Sequence, residues 1–313
     1  MKQKSSISLA KALTLSLGEL GQPVVTKYQL GILIFHLYKT ASYHGNKIGN
    51  LKVELPDLKA YNYQLKNLLD LGVISKISKT ASSVFGILGK ESATPAEIAC
   101  SIDPFAYLSH LSAMEYHGIT NRMPKILYIS TPAKGNWKDL ANELMHKELG
   151  DDISIYRQNK LPLMSRIKLE KIKNTSIHTY SSLHYGAYRA VKDTKIKIST
   201  IGRTFLDMIR SPDLCGGIYH IIEVYQEYSK PYLNLIIDEV DRHGKPIDKV
   251  RAGYILEEKC GIRNNHSIES WLKVVQRGGS RKLDPTQEYS STYSERWCLS
   301  LNIFEQEKTD EAI

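Results

Sequence analysis

Two short apolar-alternating runs, residues 73–77 and 84–88, flank the polar stretch Ser78-Lys79-Thr80-Ala81-Ser82-Ser83 and follow directly on a helical pattern that stops at Gly72. A chain whose apolar period changes from 3.6 to 2 across one glycine is committed to a helix leading into a hairpin. Pro56 suits the first turn of that helix and Gly72 its left-handed stop. Leu58, Leu65, Leu68, Leu69 and Leu71 supply a core face, with Lys59, Asn62, Tyr63, Lys66 and Asn67 mostly on the other side. Two helices are predicted upstream. One covers residues 6–20 and closes near Gly18 and Gly21. The other starts at the capping box Thr26-Lys27-Tyr28-Gln29 and runs to about Lys39, apolar on most sides. Three helices followed by a basic hairpin is the element order of a winged helix-turn-helix, here expected over residues 1–90.

Charge points to what such a module would meet. Residues 1–90 hold 12 lysines and no arginine against Glu19, Glu54, Asp57 and Asp70, so they carry +8 of the chain's net +9. Positive charge concentrated in one quarter of the chain marks a segment that meets a polyanion; a solvated lysine-rich surface is the plain alternative. Lys59 and Lys66 suit phosphates, Asn62 can read an adenine edge bidentately, and Tyr63 and Asn67 complete the helix's candidate DNA contacts. On the hairpin, Lys76, Ser78, Lys79 and Thr80 can follow the backbone or enter the minor groove. Bidentate guanine recognition is chiefly an arginine task, so the expected operator is A/T-rich double-stranded promoter DNA, bound with a steep salt dependence.

Beyond a linker at residues 89–95, residues 91–313 read as a larger mixed α+β domain, making the whole chain α+β. A helix is predicted from Asp103-Pro104 to Gly118, a strand over 126–131 and a helix over 136–149 closed by Gly150. Strand-like runs follow at 153–157, 163–172, 177–180 and 195–200. Helical patterns then cover 201–210, 217–229, 232–242, 247–259 and 267–275.

The stretch Leu108-Ser109-His110-Leu111-Ser112-Ala113-Met114-Glu115-Tyr116-His117-Gly118 leads to the strand Ile126-Leu127-Tyr128-Ile129-Ser130-Thr131. Later come Ile201-Gly202-Arg203-Thr204-Phe205-Leu206-Asp207, then Pro212 and Gly216-Gly217, then Arg251-Ala252-Gly253-Tyr254, and an ending around Trp297. In this order the motifs resemble the AbiEi antitoxins of type IV toxin–antitoxin pairs. The resemblance implies a repressor of its own promoter that counteracts a co-encoded nucleotidyltransferase toxin, without need of a stable complex. It singles out Ser109, Ser112, His117, Arg203, Thr204, Asp207, Gly216 and Gly217. Arg203 and Asp207 share a helix face; they read either as a surface ion pair or as part of a site with a further acidic or phosphate partner.

Other chemistry is poorly supported. Pro212-Asp213 and Glu257-Glu258-Lys259 are the pieces of a restriction-type nuclease, but the latter fall on a helical pattern, where residues two apart diverge. His110 with His117, and Asp238 with Asp241, match no zinc or magnesium motif. Ser182, His184 and Asp193 form no nucleophile elbow, and no phosphate-binding glycine loop occurs. The expectation is therefore no enzyme activity, cofactor or metal. Cys100, Cys215, Cys260 and Cys298 form no C-x-x-C pair, which fits a reducing, cytoplasmic setting. Lys11 interrupts the apolar opening, so neither a leader nor a membrane span is expected. The competing reading is a winged-helix regulator whose C-terminal domain senses a small molecule.

Overall fold

The computed structural model describes residues 6–77, 83–183, 185–276 and 281–303. In chain order the first elements are α1 (Leu9–Glu19), β1 (Val24–Thr26), α2 (Lys27–Thr40), β2 (Ser42–Tyr43), β3 (Asn46–Lys47), α3 (Leu58–Asp70), β4 (Ile74–Lys76) and β5 (Val84–Ile87). Next come α4 (Pro95–Ile102), β6 (Tyr107–Leu108), α5 (His110–Tyr116), β7 (Ile126–Pro132), α6 (Lys134–Leu149), α7 (Ile153–Gln158), β8 (Lys171–Ile172), β9 (Thr175–Ser182), β10 (Tyr188–Ala190) and β11 (Lys197–Ser199). The last are α8 (Ile201–Arg210), α9 (Ile218–His243), α10 (Pro246–Tyr254), α11 (His266–Ser270), β12 (Tyr293–Ser294) and β13 (Leu299–Ser300). The architecture is mixed α+β, with parallel and antiparallel strand pairs. The chain falls into two compact units: Met1–Tyr107 with Ser130–Tyr185 and Ala190–Lys197, and Leu108–Ile129 with Gly186–Arg189 and Ile198–Ile313.

In the first unit the capping box at α2 is complete. The Gln29 N–H donates to Thr26 Oγ1 at 3.2 Å, and the Thr26 N–H donates to Gln29 Oε1 at 2.9 Å. β4 and β5 form the antiparallel hairpin read from the sequence, with Ile74 opposite Ile87 and Lys76 opposite Phe85. Sequence patterning did not reveal β1, which pairs on the other edge of β5 and makes a three-stranded sheet in the order β1-β5-β4. Pro56 lies ahead of α3 rather than in its first turn; the N-cap is Asp57, whose Oδ1 accepts from the Ala60 N–H at 2.8 Å. Leu58 and Leu71 are exposed rather than core, because Tyr61 and Gln64 turn inward with Leu68.

The core of these first elements is not built from them alone. Leu13, Leu17, Leu30, Ile34, Phe35 and Leu68 pack in one cluster with Met145, Leu149, Ile153, Tyr156 and Leu161, all buried. Gly31 makes this possible: a Cβ there would stand 2.3 Å from the Tyr156 hydroxyl. Tyr156 stacks edge-on against Phe35, with ring centroids 5.4 Å apart. Three polar ties accompany the packing. The Tyr28 hydroxyl donates to the Glu148 carboxylate, Lys39 pairs with Asp152, and Asn159 Nδ2 donates to the Pro56 carbonyl at 3.1 Å. Burial, and secondly that carboxylate, push the Tyr28 phenol well above its ordinary pKa, so it remains a donor.

Several expectations for the middle of the chain are corrected. Residues 89–94 are turn and coil, and a helix absent from the sequence reading, α4, starts directly behind them: Thr94 begins a capping box with Glu97, and Pro95 takes the first helical position. Asp103 ends that helix instead of opening one: its carboxylate accepts from the Thr131 hydroxyl at 2.6 Å and the Trp137 indole at 3.0 Å. Residues 153–157 are helical: Ile153 and Tyr156, three apart, share one buried helix face, while Ile155, which completes the strand-like alternation, is exposed. Of the strand-like run 163–172, only Lys171–Ile172 pairs, antiparallel to β9.

In the second unit, Phe205, Leu206 and Ile209 of α8 pack with Ile221, Tyr225, Ile236 and Val240 of α9 and with Val250 and Tyr254 of α10. The two helices read at 217–229 and 232–242 are one, with Pro231 inside it. The segment after α10 forms a π-turn, Ile255–Lys259. Ile198 of β11 pairs parallel with Leu108 of β6. No described helix is long and apolar enough to cross a membrane.

Candidate nucleic-acid interface

α3 is held at both ends and at its middle. Beyond the Asp57 cap, Gly72 adopts φ +68° and its N–H donates to the Leu69 carbonyl at 3.0 Å, while the Val73 N–H reaches the Leu68 carbonyl at 3.0 Å. That bond pair is a Schellman stop, and a side chain at residue 72 would strain it. The Tyr61 hydroxyl donates to the Lys27 carbonyl at 3.3 Å, fixing α3 to the start of α2.

With Tyr61, Gln64 and Leu68 turned inward, Lys59, Asn62, Tyr63 and Lys66 are left exposed. Tyr63 is 69% exposed, a large aromatic ring with no core role. Asn67 is half-buried at the flank. Residues 59, 63, 66 and 70 form one helical stripe, so the exposed Asp70 closes the same face at its C-terminal end, a carboxylate that spacing alone did not single out. On the hairpin, Ser75 and Lys76 are exposed. Ser78, Lys79 and Thr80 lie outside the described residues.

The motif residues of the second unit have a different character, since most are buried and engaged internally. Ser112 Oγ accepts from the Tyr128 N–H at 3.0 Å, and the Ser109 N–H donates to the Tyr128 carbonyl at 3.1 Å. His117 Nε2 meets the Ser199 carbonyl at 2.8 Å; burial holds this imidazole below its ordinary pKa, against the pull of that carbonyl. Thr204 Oγ1 lies 2.8 Å from Ser199 Oγ. Gly216 has φ +92°, its carbonyl accepts from the Arg122 guanidinium at 2.7 Å, and Gly217 caps α9.

Arg203 is only 3% exposed, so a surface ion pair is excluded. Its Nε donates to Asp207 Oδ1 at 2.8 Å, and a guanidinium nitrogen lies 3.7 Å from Glu239 Oε1 on α9. Glu239 is thus an acidic partner beyond Asp207. Its carboxyl is raised by burial, with Arg203 acting in the opposite direction.

The residues weighed for other chemistry are engaged too. Glu257 takes a two-point contact from Arg296, at 2.6 and 2.8 Å, and the Trp297 indole at 2.9 Å; Glu258 accepts from Ser294 at 2.7 Å. Asp238 pairs with Arg242, and Asp241 accepts from the Trp271 indole. Among the described residues no group of three His, Cys, Asp or Glu side chains could hold a metal. His184 lies outside the described residues.

No protein-family model matches the chain, and no curated protein matches it. Among solved structures it is similar to the Rv2827c protein of Mycobacterium tuberculosis, at 13% identity over 93% of this chain and 90% of that one, with a TM-score of 0.45. A score of that size establishes neither a common fold nor a common activity.

Proposed function

We propose that this chain is a DNA-binding repressor of the antitoxin type, in which α1–α3 and the β4–β5 hairpin act as a winged helix-turn-helix. The observation that carries the DNA-binding half is the face of α3. Two lysines, an amide and an aromatic ring stand exposed on a helix capped and stopped at both ends, followed at once by a hairpin with Lys76 outward. A rigid helix with long polar side chains on one face can enter a major groove, and lysines on it and beside it can neutralise phosphates. The antitoxin half rests on the sequence resemblance alone: a non-catalytic protein, without cofactor or metal, that lowers expression of a co-encoded nucleotidyltransferase toxin and counteracts it. Most of the Ser109–Gly217 motif residues are engaged inside the fold, which favours a protective surface elsewhere on the chain.

The test has two arms. Purified protein is titrated onto DNA upstream of its own reading frame at low and moderate salt, and cells expressing the neighbouring toxin gene are scored for rescue. Saturable binding and rescue support the proposal. A protein that ignores the duplex at low salt removes the first half; absence of a toxin that it rescues removes the second.

A further inference from the structure

We infer that the DNA interface does not end with the first 90 residues: the C-terminal end of α7, through Arg157 and Lys160, forms a second phosphate-binding point beside the entrance of α3. The inference rests on the DNA-binding reading proposed above and extends its surface. Asn159 lies between the two cations, and its Nδ2 is 3.1 Å from the carbonyl of Pro56, the residue just before the α3 N-cap. That bond holds the Asn159 and Pro56 backbones within on the order of 10 Å of one another. Arg157 is two residues from the tie and Lys160 one, while Lys59, on the α3 face, is three residues beyond Pro56.

Both cations are exposed, and among the described residues no ion pair engages either. Lys52, Glu54 and Asp57 share the neighbourhood by sequence; Asp57 is already committed to the Ala60 N–H. By sequence, Lys52, Lys59, Arg157 and Lys160 stand within four residues of the tied Pro56–Asn159 pair, against the carboxylates Glu54 and Asp57. Arg157, in the last turn of α7, also offsets the carbonyl end of that helix. Lys160 lies beyond the helix and has no such role. The position is fixed, since Ile153 and Tyr156 anchor α7 in the same core as α2 and α3. Arg157 would also give the interface the arginine that residues 1–90 lack, able to grip a phosphate with two parallel bonds.

The measurement is the salt dependence of binding, whose slope reports how many phosphates the protein neutralises. Full-length protein and the Arg157→Ala/Lys160→Ala variant are titrated by fluorescence anisotropy onto a labelled duplex from the protein's own upstream region, over a series of salt concentrations. Each phosphate left without its cation lowers the slope of log K against log salt by about 0.9, so the double variant should fall by about 1.8. A Lys138→Ala/Lys147→Ala variant makes the same change in net charge on exposed positions of α6 and should keep the original slope. An unchanged slope in the Arg157/Lys160 variant, or an equal fall in the α6 control, overturns the inference while leaving DNA binding in place. Failure of the unaltered protein to bind at low salt overturns the DNA-binding reading itself.

Discussion

Cutting the chain after residue 90 should abolish folding of the fragment rather than release an independent DNA reader. Met145, Leu149, Ile153, Tyr156 and Leu161 are each less than 7% exposed in the cluster that also buries Leu30, Ile34 and Phe35. At about 2 kcal/mol per fully buried side chain, removing these five forfeits about 10 kcal/mol, an upper figure because a real unfolded chain is partly collapsed. The cut also uncovers the α2 side of the cluster and leaves Tyr28 without its Glu148 acceptor. A whole domain is stable by only about 5–15 kcal/mol, so little or nothing remains. Near-UV circular dichroism and a urea titration of the purified 1–90 fragment provide the assay. The expected result is a weak aromatic signal and no cooperative transition, hence no sequence-dependent DNA binding. A sharp two-state transition, with DNA affinity equal to that of the full chain, would refute the reasoning and show that residues 1–90 fold and bind by themselves.

Other outcomes follow from the same geometry. Gly31→Ala should cost about 1–3 kcal/mol from the clash with the Tyr156 hydroxyl, and adding Tyr156→Phe should recover part of it in urea midpoints. Arg203→Ala leaves Asp207 and Glu239 buried without their cation and should cost about 3–5 kcal/mol, read from thermal or urea melts. The raised carboxyl of Glu239 contributes stability that is complete below the ordinary carboxylate pKa and lost as pH rises through its folded value. Glu239→Gln should therefore flatten the fall in stability between acidic and neutral pH; an unchanged slope would contradict that assignment. Asn62→Ala should cost about 1–3 kcal/mol against the preferred duplex and relax discrimination at one base pair, measured by competition with substituted duplexes.

What the sequence disclosed depended on how local each signal was. The Thr26–Gln29 capping box and the Gly72 stop are written in residues a few positions apart, and both appear as read. The β4–β5 hairpin is likewise local. β1 is three residues long and exists only because β5 offers an edge, so no periodicity announces it. α4 went unread because it is only eight residues long and follows the turn and coil at 89–94, although Thr94, Pro95 and Glu97 together write a helix start. In α7, Ile153 and Ile155 imitate a strand, and only packing against α2 decides for a helix. Pro231 divides the pattern of α9 without dividing the helix. At the site, the α3 face was legible from spacing because its residues lie within two turns. The contribution of Asn159, Arg157 and Lys160 was not, since it depends on a hydrogen bond spanning about a hundred residues of sequence.

The most direct test is photo-crosslinking from α3 itself. A photoreactive phenylalanine analogue placed at Tyr63, 69% exposed at the centre of the polar face, is irradiated in the presence of the upstream duplex, with the same analogue at Leu15 on α1, 41% exposed, as comparison. The account requires strong DNA adducts from position 63, reduced by raised salt and by unlabelled specific duplex, and few from position 15. Adducts from position 15 with none from position 63 would mean that the protein meets DNA, if at all, by another face.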